Sequence, residues 1–207
     1  MKKILLFFML ITSASMYTQN DEAYVDAQVT EFTASLEQRG IDTYFTVKRF
    51  CNGEVEMFKL KDGKMCISKG TYFDVYVVWR ENDGSSMIKK IDNCGLFFSL
   101  PLVDKELFDW FAKNVETLMA ESVAPYEVAN PENVPALSAE LHPCSRAYTF
   151  KSGSEQFRKS FDLFDLTNES KQENLNYESN QNLLIVALDQ KLDVALDTMA
   201  SDFKRQF

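Results

Sequence analysis

Between residues 41 and 103 the chain breaks every few residues at a glycine-bearing turn, and that punctuation leaves no room for a long helix. Six short runs rich in β-branched and aromatic residues occupy 41–51, 54–60, 65–68, 71–81, 86–92 and 96–100. Asn52-Gly53, Asp62-Gly63, Lys69-Gly70, Asn82-Asp83-Gly84 and Cys94-Gly95 separate them, the turn chemistry of consecutive antiparallel strands. In 71–81 the odd positions Phe73, Val75, Val77 and Trp79 are all apolar and are expected to face the core. The even positions Tyr72, Asp74, Tyr76 and Arg80 share the other face and are mixed in character. On the next strand Lys89 and Lys90 are adjacent, so one lysine reaches each side of the sheet or a bulge intervenes.

Helical periods flank this region. Val25, Val29, Phe32 and Leu36 make one stripe over 22–39, and Gly40 follows as a C-terminal cap. Asp104 is placed to cap a helix running to about 121, with Val103 and Phe108 as a hydrophobic staple. Its apolar stripe is Leu107, Phe108, Phe111, Val115, Leu118 and Met119. Four of the five prolines (Pro125, Pro131, Pro135 and Pro143) fall in 122–144, which reads as an extended loop. Residues 145–151 and 155–166 suit a hairpin about Ser152-Gly153-Ser154, although Phe157, Phe161 and Phe164 also fit a helix. Residues 167–182 are rich in Asn, Glu, Ser and Gln and read as mobile. From 181 to 205, Leu184, Ile185, Leu188, Leu192, Leu196, Met199 and Phe203 trace one face of a long helix. Segregated helices and strands predict an α+β fold, an antiparallel β-meander sheet with helices packed on one face.

Residues 1–18 carry an address instead of a fold. Met1-Lys2-Lys3 precedes eight apolar residues, 4–11, and the small residues Thr12-Ser13-Ala14-Ser15, the order of a bacterial signal peptide. The apolar run is far short of the ~20 residues that span a bilayer, and no cysteine lies near the junction to carry a lipid. The mature chain then starts between Met16 and Gln19, with 19–207 expected as a single domain in the periplasm or outside the cell. Cys51, Cys66, Cys94 and Cys144 all lie in that mature part, and an even count in an exported chain favours two disulfides. Two-residue hairpins at 52–53 and 62–63 put Cys51 opposite Glu54 and Cys66 opposite Lys59, on opposite sheet faces. Cys51–Cys66 is thus the least favoured pair.

The function classes narrow by exclusion. Lys and Arg total 22 against 31 Asp and Glu, a net charge of −9 that falls to −11 once Lys2 and Lys3 are cleaved away. Such a surface repels phosphate backbones, which argues against nucleic acid and favours a neutral or cationic ligand or protein partner. His142 is the only imidazole and there is no Gly-x-Ser-x-Gly elbow, so no nucleophilic set is visible. Asp162, Asp165, Asn168 and Glu169 do not follow the calcium-loop spacing, and no glycine-rich phosphate loop occurs; no metal or cofactor is implied. The expectation is an exported, non-enzymatic binding domain using Tyr72, Asp74, Tyr76 and Arg80, with the loop around Tyr126 as a flap. The alternatives are a carboxylate-dependent hydrolase of extracellular polymers and a structural envelope protein without a ligand.

Overall fold

The computed structural model describes residues 20–129, 143–168 and 173–206. The signal-peptide reading, His142 and Glu169 lie outside them. Asp21 opens the first helix, α1 (Glu22–Gln38), by accepting the Tyr24 N–H, and Gly40 closes it at φ +80°, a conformation that costs glycine little. Then follow β1 (Thr43–Cys51), β2 (Met57–Lys59), β3 (Met65–Ile67), β4 (Phe73–Arg80), β5 (Ser86–Asp92), β6 (Gly95–Leu96) and β7 (Leu100–Pro101). Asp104 caps α2 (Lys105–Ala120) through the N–H groups of Glu106 and Leu107. β8 (Cys144–Ser152) and β9 (Glu155–Asp162) form the expected hairpin, and α3 (Tyr177–Gln181) leads into α4 (Leu184–Met199).

The fold is α+β with an antiparallel sheet, but the sheet is not a meander in chain order. Its order is β6-β5-β4-β1-β8-β9, so β1 sits centrally between β4 and a strand about 100 residues later. β2 and β3 leave the sheet as a separate two-stranded ribbon. The helices do not share one face either. β4 is apolar on both sides: Val75, Val77 and Trp79 pack beneath α1, while Tyr76 and Val78 join α2 and α4 in the larger core. A strand with two apolar faces needs cover on both. In α2, Leu107, Phe108, Phe111 and Leu118 are buried as expected, while Val103 and Met119 are exposed, so the staple does not close.

Cys51 lies directly opposite Cys144 at the end of the β1–β8 ladder and is bonded to it; Cys66 is bonded to Cys94. The least favoured pair is absent, although one premise behind that reading shifts. Lys59 pairs with Met65, so Cys66 faces Phe58 and not Lys59, because the turn holds three residues, 61–63, between Leu60 and Lys64. Around the polar segment after residue 167, the described residues are knitted in. Asn174 and Asn180 are buried, and the Asn180 amide donates to the carbonyls of Ala124 and Asp165 and accepts the Ala124 N–H. Buried amides satisfy loop backbone where no ladder exists.

Candidate functional site

Alternation along β4 decides where its even-numbered side chains go. At its C-terminal half that face lies under helices: Val78 is fully buried in the core, and Tyr76, at mid-strand, is 5% exposed. Towards the start of the strand the same face opens into a cavity of about 440 Å³. Its walls are the β2–β3 ribbon, the last turn of α4 and the C-terminal tail. The tail is bound by a bridge between Phe97 and Arg205 and by Phe98 N–H to Lys204 and Gln206 N–H to Leu96 carbonyl bonds.

Tyr72, Asp74 and Tyr76 all line this cavity; Arg80 does not. The Arg80 guanidinium turns to α2 instead, 2.7 Å from Asp109 and over the Phe108 ring. Tyr126 is also elsewhere, stacked on Phe164 at 4.6 Å and buried, and residues 130–142 of the loop expected as a flap lie outside the described residues. Replacing Tyr76 with alanine would open the core.

The residues that complete the cavity come from other strands. The β4–β5 register sets Asp74 opposite Asp92 and Tyr76 opposite Lys90, without a bulge, and Lys89 points to the α1 side. Two carboxylates facing each other are held apart by cations. Lys90 Nζ is 3.0 Å from Asp74, and the Arg205 guanidinium forks onto Asp92, one nitrogen at 2.6 Å. Tyr76 donates to Asp74 at 2.8 Å and Tyr72 to Asp92 at 2.9 Å. Burial raises the pKa of both phenols, and the neighbouring aspartates raise it further. Arg205 also covers the rings of Phe58 and Phe97. Arg49, from β1, pairs with Asp193 of α4 at 2.6 Å; burial works against its charge, but Asp193, Asp189, Tyr76 and Asp74 together more than offset this and raise its pKa.

Asp197 is different. It is exposed at the rim of the cavity and holds no ion pair among the described residues. Sequence reading missed Arg205, Asp197 and Phe203, because nothing local marks a residue that meets its partner 113 positions away, as Arg205 meets Asp92. The adjacent lysines of β5 were the one available signal. Asp162, Asp165 and Asn168 are engaged as hydrogen-bond acceptors for Ser145, Tyr126 and Asn174, and no group of three or more His, Cys, Asp or Glu among the described residues is placed to hold a metal. Comparison of the chain with family models, curated proteins and solved structures finds no match.

Proposed function

We propose that the protein is an exported, non-enzymatic binding domain whose recognition site is the cavity lined by Tyr72, Asp74 and Tyr76, taking a neutral or cationic ligand. One observation carries this reading. The three cations of the cavity, Arg49, Lys90 and Arg205, are each matched by an aspartate, and Asp197 at the rim is left over. The unmet charge is negative, and the aromatic walls supply contact area at small entropic cost. Export is supported by the leader-like residues 1–18 and by the two disulfides; no helix among the described residues is long and apolar enough to cross a membrane. A carboxylate hydrolase gains less support, since Asp74 and Asp92 each already hold a cation and a phenol.

The test is native mass spectrometry of the protein purified from its own host, beside Asp197→Lys. The wild type is expected to carry a non-covalent adduct that Asp197→Lys lacks, with circular dichroism unchanged because Asp197 is exposed. A bare wild type, or the same adduct on both proteins, overturns the reading.

A further inference from the structure

The other face of the sheet holds a larger cavity, about 720 Å³, that no sequence motif announces. It exists because α1 packs chiefly on β4, β5 and β6 and leaves the β1–β8–β9 side of that face uncovered. The floor there is polar. Thr46, Thr149 and Arg158 stand directly opposite one another across the three strands, a row spanning about 10 Å at the usual strand spacing. Ser160 lies one step along on the same face, two residues from Arg158, and Ala147 beside it leaves the middle of the floor low.

Two features of this groove are unsatisfied. Thr46 is only 7% exposed, lines the cavity, and its hydroxyl has no hydrogen-bond partner among the described residues. That hydroxyl is not fully buried: it opens into the cavity, where it is available to a ligand. The hydroxyls of Thr149 and Ser160 are likewise unbonded among the described residues. The second feature is charge. Of the wall carboxylates, Asp26 shares Lys48 with Glu22 at 2.6 and 2.9 Å, and Glu37 accepts from the Tyr44 hydroxyl at 2.8 Å with Lys151 3.8 Å away. Arg158 and Lys159 both line the groove without an ion pair among the described residues; Lys159 donates to the Ser122 hydroxyl at 3.3 Å, and the Arg158 guanidinium is left open.

We propose that this groove binds a polyhydroxylated carboxylic acid, a uronate-type saccharide, with its carboxylate on Arg158 and its hydroxyls over Thr149 and Thr46. Arg158 offers the fork that a carboxylate fills with two hydrogen bonds. Closely spaced threonine and serine hydroxyls match a ligand that is dense in hydroxyl groups. An acidic peptide would add its backbone along the free edge of β9, whereas the open hydroxyls of Thr46 and Thr149 stand on the sheet face, two strands and one strand in from that edge. The site stands on the face opposite the aspartate-rimmed cavity, asks for the opposite charge, and does not rest on the preceding reading.

Calorimetric titration of the full chain with trigalacturonate, galactotriose, pentaglutamate and inorganic sulfate tests it. Trigalacturonate is expected to bind at least about tenfold more tightly than each of the other three, the size of one charge-assisted contact. Arg158→Ala should lose about tenfold or more, Thr46→Val about three- to tenfold, and Asp197→Lys nothing, with thermal melts of all three close to wild type. Absence of trigalacturonate binding overturns the proposal. So does pentaglutamate binding as tightly, which makes the groove a peptide site, or sulfate binding as tightly, which makes Arg158 a bare cationic spot. A loss in Asp197→Lys with none in Arg158→Ala places the ligand in the other cavity and also overturns it.

Discussion

Tyr72, Tyr76 and Tyr148 show how single side chains set the conditions under which the fold holds. Each phenol is mostly or wholly buried and donates to a carboxylate: to Asp92, Asp74 and Asp189 respectively. Burial first, and the adjacent aspartate second, raise all three above the ordinary value of about 10. Tyr44 is pushed up to about 12 by burial and its hydrogen bond to Glu37. Above pH ~10 the unfolded chain releases these protons while the folded chain keeps them, so the native state binds more protons and stability falls as pH rises. Their contribution is complete below that pH. Urea unfolding between about pH 9 and 11 should show a loss of up to ~1.4 kcal/mol per pH unit for each such tyrosine, and tyrosinate absorbance should appear together with unfolding. Phenols that ionise while circular dichroism is unchanged would sink this account. The same scale explains why Asp92, with no exposure, is tolerated: Arg205, Tyr72 and the Cys94 N–H all donate to it.

At the scale of elements, α4 is the clearest case of pattern becoming packing. Ile185, Leu188, Leu192, Leu196 and Met199 are buried in the larger core, and Phe203, just past the helix, packs edge-on against Tyr76. Leu192→Ala should cost about 2–5 kcal/mol, while Val194→Ala, at a position 69% exposed, should stay within about 0.5 kcal/mol. Chemical denaturation of both variants decides it, and equal losses would mean the helix is not seated on the sheet. Asp193 is no neutral comparison, although the helical stripe alone leaves it on the polar side. It is half-buried against Arg49, and burial raises its pKa despite that partner. In β9 the alternation resolves a real ambiguity: Phe157 and Phe161 face the core while Arg158 and Ser160 face the groove. A helix would have kept Phe157 and Phe161 together but parted Arg158 from Ser160.

For the molecule as a unit, the disulfides do different work. Cys51–Cys144 closes a separation of 93 residues and ties the two central strands at one end; Cys66–Cys94 closes 28 and anchors the ribbon that walls the aspartate-rimmed cavity. In the chain-entropy model, removing the first should cost about 4.7 kcal/mol and the second about 3.6 kcal/mol. Paired Cys→Ala variants compared by urea unfolding measure the difference. A larger loss for Cys66–Cys94 would show that native contacts of the ribbon, and not loop closure, set the stabilisation.

Local patterning was enough to place α1, α2, the body of α4 and the glycine turns, because capping, periodicity and positive φ are properties of neighbouring residues; it left β9 open between strand and helix and ran the last helix over 181–205, where α4 spans only Leu184–Met199. It also named Tyr72, Asp74 and Tyr76 as one face of one strand, a consequence of the two-residue repeat alone. Which elements met those faces was settled only in three dimensions. Insertion of β1 between β4 and β8, cover on both sides of β4, and the arrival of Arg205 on Asp92 each join residues far apart in the chain. Arg80 and Tyr72 share a strand face but not a site, since α2 reaches one end of that face with Asp109 and the tail reaches the other. Sequence spacing determines which way a side chain points; long-range packing determines what it finds there.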